Sequence, residues 1–223
     1  MAFLLGLPAA AAFVGGMGAG YYGMQQIDSL EETTKKEEGG ATSSSRGEKE
    51  GLDDEPACLR ALEQAAIAAS KGTYGVGAVL LDENGKIVVE GHNEVNIEGF
   101  RSDLHAEMVV MNKWENEHTE GGLGKYTLFS TLEPCPMCLT RLIFAGVGTI
   151  VYICPDEIGG MVTRMSSMPP VFQDLSARQK QKMRQAKCSR SIRKRAYELW
   201  NASQAAIDDA VVARAATPKS SSS

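Results

Sequence analysis

The chain has 223 residues, of which 43% are hydrophobic and 23% are charged, and its net charge is −5. This composition is ordinary for a soluble fold, and the length leaves room for one globular domain with extensions rather than for several large domains. The mild acidic charge favours no class of partner for the chain as a whole.

The first 27 residues form an apolar segment. No charged side chain occurs between Met1 and Gln26, and the run is long enough to cross a bilayer. Gly16 and Gly20 have the spacing at which membrane helices approach one another closely. Because Lys and Arg are absent, a secretory signal would be atypical. We predict a targeting or anchoring segment at 1–27, used for membrane association or organelle targeting; a weakly structured leader is the alternative.

A second change of composition precedes the folded domain. Residues 28–55 are rich in Glu, Lys, Ser, Thr and Gly and contain almost no large apolar side chain. Such a segment cannot bury enough surface to offset the entropy lost on ordering, so it is predicted to be a disordered linker. The domain is predicted to span 56–205, including C-terminal helices. Residues 206–223 are predicted to be a helix end and a disordered tail.

The predicted domain alternates helices and strands. Apolar residues at helical spacing predict a first helix from Pro56, ended by a Lys-Gly pair, and the apolar runs 76–81 and 86–90 flank an Asn-Gly turn, which predicts an antiparallel hairpin. A second helix from residue 105, a strand at 126–132, a third helix and a strand at 149–154 follow. Short connections between alternating elements imply parallel pairing in a layered α/β domain.

Two motifs at predicted helix starts carry candidate metal ligands. His105 and Glu107 form H-x-E, and Cys135 and Cys138 form P-C-x-x-C with the preceding proline. Together they match the signature of zinc-dependent nucleobase deaminases. One imidazole and two thiolates supply three ligands to a tetrahedral zinc ion and leave a fourth position for water, as in catalytic rather than structural sites. Glu107 is then the general acid and base beside that water.

The local sequence supports this assignment. Cys135 and Cys138 are three residues apart, so at a helix start they share one face, and the positive end of the helix dipole favours their thiolate forms. Ser102 or Asp103 is available to cap the helix that begins near His105.

One geometric requirement and two alternatives remain open at this point. Residues two apart diverge on a regular helix, so the site needs His105 in the first turn and Glu107 reaching the water from the side. A redox-active cysteine pair would occur in a thioredoxin-like sequence context, which is missing here. A structural zinc site would need a fourth ligand, and His92 and His118 have no ligand-like spacing.

The other three cysteines have no disulfide-like spacing. They are Cys58, Cys154 and Cys188, and Cys154 ends an apolar strand, where a buried thiol is expected. Unpaired thiols and a thiolate metal site favour a reducing compartment for the catalytic domain.

The sequence resembles the cytidine deaminase superfamily over about residues 59–155, on the hairpin, Gly91-His92-Asn93 and the two metal motifs. It is most similar to the branch of tRNA adenosine, guanine and fungal-type cytosine deaminases. The resemblance implies a three-layer α-β-α sandwich with a mixed sheet, one Zn2+ per domain and a homodimer. It also implies that Asn93, whose amide is both donor and acceptor, binds the substrate base or its sugar; an ordinary turn asparagine is the alternative.

The sequence departs from the family's pattern after the fourth strand. Residues 156–172, where the branch has its fifth strand, are rich in Gly, Met and Pro, so no strand is predicted and a lid or pocket loop is expected. Residues 178–195 contain nine Lys or Arg and no acid, which predicts a basic helix that is either a solvated face or a contact for RNA or DNA. Residues 197–216 are predicted to form an amphipathic helix.

The predicted reaction is the hydrolytic deamination of a cyclic amidine, with release of ammonia. A small-molecule nucleobase or nucleoside, of cytosine, cytidine, adenosine or guanine type, is slightly preferred because the basic run lies outside the matched region. A base in tRNA or in single-stranded nucleic acid is the alternative, since such a base can be flipped into a pocket. A non-catalytic zinc-binding module is the alternative of another class.

Overall fold

A five-stranded mixed sheet organises residues 53–216, the part of the chain that the computed structural model describes. The strands, in the spatial order β2-β1-β3-β4-β5, are Gly77–Leu81 (β1), Ile87–His92 (β2), Thr127–Leu132 (β3), Thr149–Cys154 (β4) and Lys182–Gln185 (β5). β1 is antiparallel to β2 and β3, whereas β3, β4 and β5 are parallel to one another. The predicted layered α/β fold with a mixed sheet is confirmed.

Helices cover both faces of this sheet. They are Glu55–Ser70 (α1), Ala106–Glu117 (α2), Pro136–Ala145 (α3), Pro170–Arg178 (α4) and Arg190–Ala216 (α5). One apolar cluster joins α1 and α5 to one face of the sheet, and a second joins α2 and α3 to the other. These two clusters make the three layers of the sandwich.

Strand side chains alternate between the two clusters. In β1, Ala78 and Leu80 belong to the cluster of α2 and α3, while Val79 belongs to that of α1 and α5. In β4, Ile150 and Val151 divide in the same way. Strands buried on both faces are apolar throughout, so the sequence pattern finds them. Each helix and strand predicted between residues 56 and 154 is present within a few residues of its predicted ends.

The region after β4 differs from the prediction. A fifth strand is present, and it lies inside the basic run 178–195, so the predicted basic helix is wrong. That run contains the end of α4, β5, a connection and the start of α5, which begins at Arg190 rather than near residue 197. β5 is a short edge strand with mostly exposed polar side chains, so it has no apolar pattern to reveal it.

Polar side chains hold this edge in place. The buried carboxylate of Asp54 accepts hydrogen bonds from the Arg184 guanidinium at 2.6 and 3.0 Å and from the Lys187 amide at 2.7 Å. The Gln181 side chain donates to two carbonyl groups at the end of α3. These contacts join β5 to the start of α1 on one face of the sheet and to the end of α3 on the other.

Several predictions concern residues outside the described range. The segment 1–27, almost all of the linker 28–55 and the last part of the tail lie there, so the domain borders stay predictions. Between residues 53 and 216 no helix is both long and apolar enough to cross a membrane. All five cysteines fall within this range as free thiols, and Cys58, Cys154 and Cys188 are buried, as expected for Cys154.

Candidate active site

Two helix starts carry the predicted metal ligands. His105 immediately precedes α2 and Cys135 immediately precedes α3, and both have extended backbones, with ψ of 156° and 171°. Pro136 opens α3, where its missing N–H removes no helical hydrogen bond. Cys138 lies in the first turn of α3 and is fully buried. Each ligand is therefore fixed where a loop becomes a helix.

The cap of α2 differs from the prediction. His105 itself occupies the cap position, and no side chain of the described residues caps this helix through a hydrogen bond. Ser102 is therefore not the cap, and Asp103 instead accepts two hydrogen bonds from the Arg101 guanidinium. Because His105 has an extended backbone, the angle between positions of a regular helix does not apply to it. The separation of His105 and Glu107 by two residues is thus compatible with one site.

The three predicted ligand atoms lie together. Nδ1 of His105 is 3.7 Å from Sγ of Cys135 and 3.6 Å from Sγ of Cys138, and all three atoms lie within 4.8 Å of one another. Tetrahedral zinc, with bonds of about 2.1 Å to nitrogen and 2.3 Å to sulfur, places such atoms about 3.6 Å apart. The donor set and its spacing therefore fit a zinc ion with three protein ligands.

Hydrogen bonding within this cluster makes one thiol acidic. The hydrogen bond from the Cys138 thiol, together with one from the His105 ring, lowers the pKa of Cys135 to about 4, whereas the same bond and burial raise the pKa of Cys138. Zinc binds the thiolate form of cysteine, so Cys135 is the ligand that is ionised at neutral pH before metal binds.

Glu107 is a buried carboxylate in the first turn of α2. Its side chain is 4% exposed, and Oε1 accepts a hydrogen bond of 3.0 Å from the hydroxyl of Ser130 on β3. Burial raises the pKa of this carboxyl, and the hydrogen bond from Ser130 opposes the rise. Ser130 therefore orients the carboxylate, a role for which the sequence motif gave no signal.

A cavity lies directly against these groups. Its volume is about 210 Å³, and it is partly open to solvent. Its lining residues combine metal ligands, carboxylates and apolar or aromatic side chains: Tyr74, Val76, Asn93, His105, Ala106, Glu107, Leu132, Glu133, Cys135, Asp156 and Trp200. Of the predicted site residues, only Cys138 lies behind this surface.

Asn93 lies in the cavity wall. It is 3% exposed, and Oδ1 accepts hydrogen bonds from the Thr73 hydroxyl at 2.6 Å and from the Val95 amide at 3.1 Å. These contacts fix the plane of its side-chain amide at the edge of the cavity.

The sequence interpretation missed a carboxylate that anchors the loop after β4. Glu133 is 2% exposed, and it accepts hydrogen bonds from the amide and hydroxyl of Thr163 and from the amide of Asp156. A side chain at Gly160 would collide with the Glu133 carboxylate. Asp156 lines the cavity, so the segment 156–172 does contribute a pocket loop, one tied down by Glu133.

The fold and this site agree with one protein family. Residues 53–154 match the family described as the cytidine and deoxycytidylate deaminase zinc-binding region. The tRNA-specific adenosine deaminase of Rickettsia felis is 36% identical over 104 residues, which are 46% of this chain and 72% of that protein. The chain therefore belongs to the cytidine deaminase superfamily of zinc-dependent hydrolytic deaminases.

Other relatives carry the same activity in their names. The chloroplastic tRNA(adenine(34)) deaminase of Arabidopsis thaliana is 38% identical over 107 residues, which are 48% of this chain but 8% of that much longer protein. A structure from a study of A-to-I editing by tRNA:A34 deaminases superposes with a TM-score of 0.54 at 23% identity, covering 65% of this chain and 99% of that one. The latter similarity supports the fold.

Proposed function

We propose that this protein hydrolyses the exocyclic C–N bond of adenosine in tRNA, which produces inosine and ammonia. The observation that carries the chemistry is that the His105–Cys135–Cys138 cluster and the Glu107 carboxylate meet at one cavity. The choice of adenosine in tRNA is supported by the names of the relatives from Rickettsia and Arabidopsis. These relatives give no support to the slight preference of the sequence interpretation for a small free base.

The roles of the site residues follow from their chemistry. His105, Cys135 and Cys138 would hold the zinc ion, which would supply a water of lowered pKa at the open coordination position. Glu107 takes the proton released as the water oxygen attacks the ring carbon that bears the amine. The same carboxyl then passes this proton to the ring nitrogen. It afterwards takes the second proton from the hydroxyl now attached to that carbon and gives it to the amine, so that the C–N bond breaks, the carbonyl forms and ammonia leaves. Ser130 keeps the carboxylate aimed at the cavity during both transfers.

Asn93 is proposed to orient the substrate. Its two observed hydrogen bonds both engage Oδ1, so the side-chain NH2 is the group that a base or ribose acceptor would meet. Replacement by Asp would keep the shape and remove this donor, so it is expected to raise KM more than it lowers kcat.

A tRNA substrate requires a flipped or single-stranded base and contacts to phosphates. Within the run 178–195, acidic side chains pair with Arg178, Arg184, Lys194 and Arg195. Lys180, Lys182 and Lys187 are exposed, and they are the proposed phosphate contacts of this region. The affinity for tRNA is therefore expected to fall as the salt concentration rises. Replacing these lysines should make the plot of log affinity against log salt concentration less steep.

The homodimer is also a proposal. On α3 and α4 the side chains of Met137, Phe144 and Val171 are exposed, and Phe144 packs edge-to-face with Phe172 at 5.6 Å. An exposed apolar face of this kind fits a second copy of the chain. Phe144→Glu is expected to shift the mass in solution from dimer to monomer, whereas a parent chain of monomer mass would contradict the proposal.

We propose delivery to an organelle as the use of residues 1–27. The name of the Arabidopsis relative places that protein in the chloroplast, which is consistent with such a segment. A fluorescent protein fused after residue 55 should localise to an organelle, and deletion of 1–27 should abolish this localisation. An unchanged pattern after deletion would contradict the proposal.

Ammonia release tests the function directly. Zinc-loaded protein should release ammonia from a tRNA pool, with inosine as the product, and the Glu107→Gln protein should not. Cytosine, cytidine, adenosine and guanine serve as competing small substrates. Activity confined to a free base would overturn the tRNA assignment, and zinc binding without ammonia from any substrate would indicate a non-catalytic zinc module.

A further inference from the structure

One wall of the cavity comes from the last helix. Although α5 packs with α1 on one face of the sheet, its Trp200 packs against the cluster on the other face and lines the cavity together with His105 and Glu107. The indole is half-buried, and it meets the ring of Tyr197 edge-on with centroids 5.8 Å apart. An aromatic side chain thus lines the same cavity as the proposed reacting groups.

Hydrogen bonds hold α5 against the segment that precedes β1. The Gly75 amide donates to Oγ of Ser203 at 2.8 Å, and this hydroxyl donates to the Trp200 carbonyl at 2.8 Å. The hydroxyl of Tyr74, another cavity residue, donates to the Asp208 carboxylate at 3.0 Å. Trp200 is therefore held beside the cavity by the same segment that leads into β1.

The rest of the cavity suits a flat heterocycle. Apolar side chains and polar groups that can hydrogen-bond line the same space: Val76, Ala106, Leu132, Asn93, Glu107 and Glu133. Any base presents a π-face, so aromatic side chains bind bases by stacking whatever their edge pattern. We propose that Trp200 is the surface on which the base entering this cavity stacks, and that it sets how tightly the base is held. The inference rests on the proposed deaminase function.

Tryptophan emission can report this contact directly. The chain contains two tryptophans, and the other one, Trp114, is buried in α2. In zinc-loaded protein with Trp114→Phe and Glu107→Gln, Trp200 is the only emitting indole and a bound base stays unreacted. Stacking of a base on Trp200 is expected to quench this emission saturably. The probes are an RNA hairpin with one adenosine in its loop and the same hairpin with that position abasic, which should not quench.

Kinetics of the otherwise unmodified chain provide the second readout. Trp200→Ala is expected to raise KM by about tenfold or more, because a base stack is lost, with a smaller change in kcat. Trp200→Phe keeps a stacking ring and should recover most of the loss. Val212→Ala, an exposed change on the same helix, is the matched control and should leave both constants unchanged.

The outcomes separate this inference from the proposed function. Emission that stays constant at saturating hairpin, or an unchanged KM in a folded Trp200→Ala protein, overturns the stacking role. If Trp200→Ala fails to fold, the quenching measurement decides, because it leaves Trp200 in place. Saturable quenching without ammonia from any substrate keeps the stacking role and refutes the deaminase proposal, whereas ammonia release without quenching refutes only the stacking role.

Discussion

The centre of the sheet and its far edge are stabilised in different ways. β3 and β4 are buried strands covered on both faces, and the two ligand-bearing helices share an apolar cluster with them. β5 at the edge is short and polar. It is held by hydrogen bonds that Arg184 and the Lys187 amide donate to Asp54, and by those that the adjoining Gln181 donates to carbonyl groups at the end of α3. Nonpolar burial thus fixes the part that holds the metal site, whereas a few specific polar groups fix the edge. Changes at the centre should affect chemistry, and changes at the edge should affect stability.

Loss of a thiolate at the centre is expected to have the largest effect. Cys135→Ala should reduce bound zinc from about one ion per chain to near zero and abolish activity, because two protein ligands do not make the three-ligand site. Metal analysis after dialysis, with ammonia release, measures both. Cys188→Ala, which changes a buried thiol in the apolar cluster between the sheet and helices α1 and α5, is the control. A Cys135→Ala protein that keeps a tightly bound zinc ion would contradict the assigned ligands.

Removal of the carboxylate should separate metal binding from activity. Glu107→Gln keeps the size of the side chain and its contact with Ser130 but cannot carry the proton, so kcat is expected to fall by about 10²- to 10⁴-fold. Zinc content should stay that of the parent. Glu117→Gln at the exposed end of α2 is the matched control. Full activity of Glu107→Gln would refute the proton-transfer role.

Glu133 connects the centre to the pocket loop, so its replacement should have an intermediate effect. The Glu133 carboxylate accepts hydrogen bonds from two backbone amides of the loop. In Glu133→Gln the side-chain NH2 would face one of these amide donors, and the lost hydrogen bond should lower the free energy of unfolding by about 1–3 kcal/mol. Urea unfolding measures this loss. Limited proteolysis within 156–163 should also become faster. Glu157→Gln, its exposed neighbour in the loop, should change neither.

Asp54 tests the far edge, where the smallest effect is expected. Burial acts to raise the pKa of Asp54, but hydrogen bonds from Arg184 and from the Lys187 amide outweigh it and hold this pKa below its usual value of 3.8. Asp54→Asn should lower the free energy of unfolding at pH 7 by about 1–2 kcal/mol, with zinc content and kcat unchanged.

The effect of Asp54 should depend on pH in one direction. A carboxylate with a lowered folded-state pKa contributes its full stability above its unfolded pKa and loses it as the pH falls through the folded value. The difference between parent and Asp54→Asn should therefore be constant above about pH 5 and shrink below pH 3.8. Urea unfolding from pH 7 to pH 3 measures it, with the exposed Asp53→Asn as control. A difference that grows as the pH falls would contradict this account.

The same contrast explains which features the sequence could predict. The strands and helices up to residue 154 follow from apolar periodicity, and the zinc ligands follow from residue types at fixed spacing. The extended cap at His105 carries no such signal. β5 depends on hydrogen bonds to Asp54, more than a hundred residues earlier in the chain. Trp200 enters the cavity through tertiary packing, which periodicity within α5 does not encode.

The absence of a side chain at Gly75 lets the segment before β1 approach α5 closely. A methyl group there would collide with the backbone of Leu199 on α5, the residue next to Trp200. A larger residue at Gly75 is therefore expected to displace α5 and, with it, the cavity wall that Trp200 forms. This position offers a way to alter that wall from outside the residues that would hold the metal.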